Sequence, residues 1–140
     1  MRTRGRLGMI IALVIVLLLA AAGVIGWTYL AREHREAAAL PIAMIDFSRL
    51  NDGVYTGAYE GGMYKWRANE ARVTVEGGRV TDIELVRSGN VETERAQAEK
   101  LYGRIVAAQS LQVDAVSGAT LTCKGYLKAV ENALVQAGGA

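Results

Sequence analysis

Residues 7 to 30 run for 24 positions without a charged side chain, and no other stretch constrains this chain as strongly. At about 1.5 Å per residue, a helix of that length exceeds the roughly 30 Å hydrocarbon core of a bilayer and can cross it with some tilt. It is too long and too uniform for the core of a small soluble domain. Arg2, Arg4 and Arg6 precede the run, and Arg32, Glu33, His34, Arg35 and Glu36 follow it with nearly balanced charge. The positive-inside rule then predicts residues 1–6 as a cytoplasmic tail, residues 7–30 as a transmembrane anchor and everything later outside the cytoplasm. Trp27 and Tyr29 fall at the outer end, where interfacial aromatics belong. A cleaved signal peptide is the competing reading, because Ala20-Ala21-Ala22-Gly23 offers a small-residue site after a basic start. The apolar run continues beyond it through Val24, Ile25 and Trp27 to Leu30, which favours a retained anchor. Both readings export the rest of the chain.

Charge follows the same division. Residues 1–45 carry five arginines and two glutamates, net +3, so the overall +2 leaves −1 for residues 46–140. The exported part has no basic stripe and a single phenylalanine, which excludes a nucleic-acid surface. One cysteine excludes an intrachain disulfide and any multi-cysteine metal or iron–sulfur site. Cys123 reads as a buried, inert thiol rather than a redox one. His34, the single histidine, sits among charges beside the anchor and reads as a solvated linker residue. Residues 31–47 read as a stalk, with Ala37-Ala38-Ala39 prolonging the membrane helix until Pro41, and residues 48–140 as one domain.

Within that domain the spacing predicts a strand over 53–60, a break at Gly61-Gly62, a second strand over 68–76, a Gly77-Gly78 hairpin turn and a third strand over 79–86. One conflict stands out. A two-residue turn puts Val80 on the face of Val75, yet Ile83 and Leu85 then point the other way. Either a bulge between Val80 and Ile83 or a sheet covered on both faces reconciles them. A helix follows over 93–109, with Ala98, Leu101, Tyr102, Ile105 and Ala108 on one face. Another spans 123–136, with Leu127, Val130, Leu134 and Ala137 at the same spacings. Antiparallel strands followed by helices give an α+β fold.

Between those helices lies Asp114-Ala115-Val116-Ser117-Gly118-Ala119-Thr120-Leu121-Thr122. Gly118 and Ala119 let another group approach the backbone; Ser117, Thr120 and Thr122 supply hydroxyls; the amides opening the helix favour phosphate. The local chemistry leaves two readings open. Asp114, Ser117 and Thr120 can make a turn and cap the helix, or the segment can hold a phosphate. Lys124 can help to balance such a charge. Met63, Tyr64 and Trp66, in the segment after the first strand, are either ordinary loop aromatics or an apolar wall for a flat ligand.

The S-G-A-T-L-T sequence behind an aspartate resembles the flavinylation motif of the FMN-binding domain family. Upstream pieces agree. Asp52-Gly53-Val54-Tyr55-Thr56-Gly57 resembles the D-G-x-Y-x-G that opens the family's domain, and Val73 to Ile83 resembles its strand, glycine turn and strand. Ala107-Ala108-Gln109-Ser110 leads into the motif as in the family, and the resemblance covers about Leu50 to Ala137. Cys123, where a serine commonly follows, is the visible departure. The resemblance implies FMN attached through its phosphate to the hydroxyl of Thr122. A separate flavin transferase would make that bond, with FAD as donor and magnesium as its metal. Ser117, Gly118, Ala119 and Thr120 would surround the phosphate, Asp114 would hold the turn through backbone N–H groups, and Tyr64 and Trp66 are candidates to stack on the ring. The function so implied is an electron carrier anchored in a bacterial cytoplasmic membrane with its flavin domain on the outer face, serving redox protein partners rather than converting a substrate alone. The alternative is a subunit of a multi-protein ion-translocating oxidoreductase. A flavin-free module is the third possibility, against which the intact motif speaks.

Overall fold

The computed structural model describes residues 2–62, 64–89 and 91–139. The chain divides into two compact units, Met1–Arg35 and Glu36–Ala140. The first lies within a single helix, α1 (Arg2–Ala38), and its segment from Gly5 is long and apolar enough to cross a membrane. Its large apolar side chains are exposed, from Leu7 through Leu18 to Trp27. Such a surface asks for an apolar environment that the unit does not itself provide.

The second unit is α+β. A short 3-10 turn, Phe47–Arg49, precedes β1 (Gly53–Tyr59), β2 (Asn69–Glu76) and β3 (Arg79–Ser88), which form an antiparallel sheet in the order β1-β2-β3. Two helices follow, α2 (Val91–Ala108) and α3 (Thr120–Gln136). Alternation decides which sheet face is covered: Ala71, Val73 and Val75 of β2 are buried, and Arg72 and Glu76 between or beside them are exposed.

The register conflict at Val80 is resolved by a bulge. Val75 pairs with Val80 but Thr74 pairs with Asp82, so Thr81 is the extra residue. That single insertion turns Val80, Ile83 and Leu85 to one buried face. A second irregularity at Val86, between the Ala71–Leu85 and Glu70–Arg87 pairs, bends the end of the same strand.

Against the covered face, α3 lies across β1 at very close range. A Cβ on Gly57 would stand 2.1 Å from the Ala129 carbonyl oxygen and 2.3 Å from the Ala133 nitrogen, so only glycine fits. Small residues at Gly125, Ala129 and Ala133 give α3 the matching face. Asn132 and Gln136 donate to the carbonyls of Ala58 and Thr56, attaching the helix to β1's main chain. The buried face of α2 is Ala98, Leu101, Tyr102 and Ile105. Ala108, expected on that face, is exposed, because the helix ends there and Gln109 turns the chain with a positive φ of 49°. Gln109 donates to the Val80 carbonyl and accepts from its amide, which joins the end of α2 to the start of β3.

The segment expected to be a stalk is strapped to the domain from Ala38 onward. Lys124 donates to the Ala38 carbonyl, Lys128 to the Pro41 carbonyl at 3.3 Å, and Glu131 accepts from the Ala43 amide at 3.0 Å. These three side chains share one side of α3 by their spacing. Glu131 is buried, and its charge is met by Lys128 at 2.9 Å. Further along, Ile42, Ile45 and Phe47 pack on the core, and Leu50 is part of it.

Candidate functional site

One end of the sheet gathers the sequence-singled residues. Tyr59 ends β1 opposite Asn69, which starts β2 opposite Ser88, the end of β3. α2 and α3 both begin there: Tyr126, in the second turn of α3, donates to Glu94 in the first turn of α2 at 3.3 Å. The loop after β1 closes on the same end. A Cβ built on Gly125 would meet the Tyr59 ring at 3.2 Å and the Arg67 carbonyl at 3.4 Å, one turn past Thr122.

The D-A-V-S-G-A-T-L-T segment is held through its backbone. Arg104 Nη1, from the C-terminal part of α2, donates to the carbonyls of Asp114 at 2.7 Å and Ala115 at 3.0 Å. The Val116 amide donates to Cys123 Sγ at 3.4 Å, and the Ala119 amide closes a turn onto the Val116 carbonyl at 3.0 Å. Gly118 carries that turn with φ +79°, a conformation that side-chain-bearing residues rarely adopt. A Cβ there would meet nothing within 4 Å, so the dihedral alone requires glycine. The Cys123 amide then makes the first helical bond, to Ala119.

The oxygens of the motif are left open. Among the described residues, no hydrogen bond reaches the side chains of Asp114, Ser117, Thr120 or Thr122. Ser117, Gly118 and Thr120 are exposed, Ala119 is buried, and Thr122 is half-buried. The helix starts at Thr120, three residues earlier than its apolar spacing predicts, so Thr122 stands in the first turn rather than ahead of it. Ala119 at the N-cap supplies no side-chain cap. The amides of Thr120, Leu121 and Thr122 therefore have no acceptor among the described residues. Of the turn-and-cap reading the turn is present, and the side-chain cap is not.

Two assignments change. The Asp114 carboxylate does not bind backbone amides; it is exposed, and Arg104 holds the segment in its place. Lys124 donates to the Ala38 carbonyl, so its ammonium is engaged with the segment ahead of β1. Tyr64 and Trp66 stack with ring centroids 4.9 Å apart, and Trp66 stays exposed. Met63, grouped with them in sequence, lies outside the described residues. Beneath the motif, burial first and then Glu94 push the Tyr126 phenol up; burial and then Tyr126 do the same for Tyr102. Both phenols therefore stay protonated, with Tyr126 donating to the Glu94 carboxylate.

Against known families, the model of the FMN-binding domain matches residues 65–135, just over half of the chain. The chain belongs to the FMN-binding domain family. A relative in Treponema pallidum (strain Nichols), described as an uncharacterized protein, is 34% identical over 90 residues. That match covers 64% of this chain and 24% of the relative, so the shared domain is about a quarter of the longer protein. Membership supports FMN as the cofactor and a flavin-based electron-transfer role. The residues of this FMN-binding domain suit the group: three open amides and three open hydroxyls at the start of a 17-residue helix favour a phosphate. Arg104 and the Cys123 sulfur are the contributors that sequence reading missed. Neither contact has a local period to mark it.

Proposed function

We propose that this protein is a membrane-anchored, extracytoplasmic electron-transfer protein carrying FMN covalently, as a phosphoester on Thr122. One observation carries the reading: the backbone of Asp114 to Ala119 is held at Asp114, Ala115, Val116 and Ala119, while among the described residues the Thr122 hydroxyl and the first-turn amides of α3 have no partner. Open first-turn amides are common to helix starts; beside them this segment also carries the family's hydroxyl-rich S-G-A-T-L-T sequence.

Attachment forms a bond between Thr122 Oγ1 and the flavin-proximal phosphorus of FAD and breaks the pyrophosphate linkage. AMP leaves, and the hydroxyl proton passes to the transferase. A threonine hydroxyl is a weak nucleophile, so the base and the magnesium that activate it belong to that enzyme. This chain supplies an accessible hydroxyl, the amides of Thr120, Leu121 and Thr122 for the phosphate charge, and hydrogen bonds from Ser117 and Thr120. Bound FMN supplies the redox chemistry; the protein supplies attachment and orientation. Trp66, exposed and stacked on Tyr64 in the loop after β1, is the candidate to meet a flat ring. The long exposed apolar helix supports anchoring, and the arginines before it support an exported domain.

The test is peptide mass on the full chain expressed with a flavin transferase. One FMN per chain on the peptide bearing Thr122 is expected. Flavin on Ser117 or Thr120, or none, sinks the assignment. A reporter active only outside the cytoplasm, fused to Ala140, should give signal from membranes. A soluble product beginning near Gly23 would instead mark a cleaved signal.

A further inference from the structure

We propose that Arg104 is a positioning residue for flavin attachment, acting through the backbone ahead of Thr122. The inference rests on the Thr122 reading and adds to it the residue that makes the segment a competent acceptor.

Residues 109–119 connect the end of α2 to the start of α3, and 112–116 have no regular structure. Such a connection has many conformations to lose, at about 1–2 kcal/mol per fixed residue. Its first part is held by Gln109, by the Gln112 amide on Ser110 Oγ and by the burial of Leu111, and three further contacts hold residues 114–119. Two are local: the Val116–Ala119 turn, and the Val116 amide on the Cys123 sulfur. The third comes from another element. Arg104 reaches across from α2 and holds two successive carbonyls, Asp114 at 2.7 Å and Ala115 at 3.0 Å, with one nitrogen. A charged donor to each carbonyl makes these the strongest bonds on the segment.

The grip has two effects. It orders the residues just before the Ser117-Gly118 turn, so that the turn and the first helical residues are presented in one conformation. It also fixes the direction of two carbonyl dipoles, drawing them to α2 rather than leaving them free to turn on a phosphate held by the amides of Thr120 to Thr122. Arg104 itself is exposed and lines an open groove with Gln112, Val113 and Asp114. Its loss removes no core packing, so its role on the loop can be separated from folding.

The experiment compares wild type, Arg104→Gln and Arg104→Lys as full chains in detergent, with flavin transferase, FAD and magnesium. Covalent flavin is followed by fluorescence of the denatured chain. A transferase that accepts only the ordered loop sees its substrate diluted by the disordered fraction, so KM for the chain rises about tenfold in Arg104→Gln with kcat little changed. Arg104→Lys keeps a charged donor and should recover most of the difference. Independently of the transferase, amide exchange at Val116 and Ala119 should quicken in Arg104→Gln while α2 and the sheet keep wild-type protection. Equal KM and equal loop exchange in Arg104→Gln overturn the proposal, as does a general rise in exchange through α2, which marks a merely structural residue. Wild type without flavin on Thr122 overturns the parent reading and this one with it.

Discussion

At the β2–β3 turn, Gly77 and Gly78 hold positive φ of 61° and 73° and direct their amides to the Asp52 carboxylate, 3.0 and 2.7 Å away. At the turn ahead of α3, Gly118 holds φ 79°, a carboxylate lies four residues upstream at Asp114, and the amides that follow have no acceptor among the described residues. The parts are the same and the outcome is opposite. In the first turn the protein's own carboxylate meets the donors, so the turn is a piece of architecture. In the second, the donors and hydroxyls have no partner among the described residues, while the main chain is held from behind by Arg104 and Cys123. The two turns differ in whether their amides are met, not in the glycine or the nearby aspartate.

The largest effect that can break this contrast is at Thr122. Thr122→Val keeps the shape and removes a hydroxyl that has no partner, so covalent flavin should be lost completely while stability moves by no more than about 0.5 kcal/mol. Asp52→Asn, at the other turn, should leave loading unchanged. Flavin retained on Thr122→Val, read by fluorescence of the denatured chain, would put the open site elsewhere.

The glycines give a smaller and more even test. A Cβ on Gly118 or on Gly77 meets nothing within 4 Å, so alanine costs only its backbone strain in each case, about 1 kcal/mol. Chemical unfolding should find the two variants similarly destabilised. Loading should separate them: several-fold slower for Gly118→Ala, because the turn presenting Thr122 is disturbed, and unchanged for Gly77→Ala. Equal loading rates would remove the functional half of the contrast.

Much of this was legible in the sequence because it is periodic. Alternation gave the three strands to within two residues at either end, and the mismatch of Val80 with Ile83 and Leu85 left a bulge or a sheet covered on both faces, of which the structure has the bulge, at Thr81. Spacing also placed Leu127, Val130, Leu134 and Ala137 in the core. The start of α3 was not legible, since Thr120 and Thr122 are exposed or half-buried and carry no apolar signal. Nor was the docking of the supposed stalk, which depends on Lys124, Lys128 and Glu131 meeting carbonyls and an amide 86 to 88 residues away in the chain. Arg104 was hidden for the same reason. One guanidinium reaching two carbonyls across an irregular loop leaves no pattern to read.

Acid titration probes the closed turn. The amides of Gly78 and then Gly77 hold the Asp52 carboxyl below its ordinary value of 3.8. A carboxyl whose folded value is depressed contributes stability that is complete above the unfolded value and is lost as pH falls through the folded one. Unfolding midpoints should therefore decline below about pH 4 in wild type and decline less in Asp52→Asn. Asp46, lowered by its bonds from Ser48, keeps a residual slope in that variant. An identical acid slope with and without Asp52 would mean that the carboxylate does not hold the turn in solution.

The weakest effect asks whether the open amides take an anion before any covalent bond exists. In Thr122→Val the amides of residues 120 to 122 keep their place at the start of α3, and inorganic phosphate can approach them because Ser117, Gly118 and Thr120 are exposed. The attraction is that of a helix terminus at the surface, worth roughly 0.3–1 kcal/mol, and it is screened by salt. Exchange at these three amides should slow by about a factor of two in tens of millimolar phosphate at low ionic strength, with the effect fading as sodium chloride is added. The amides of Gly77 and Gly78 should not respond, because Asp52 already occupies their donors and repels a second anion. A phosphate response at Gly77 and Gly78 equal to that at residues 120 to 122 would show general ionic effects and no reserved site. A response confined to the start of α3 would show that these amides select phosphate without any covalent bond.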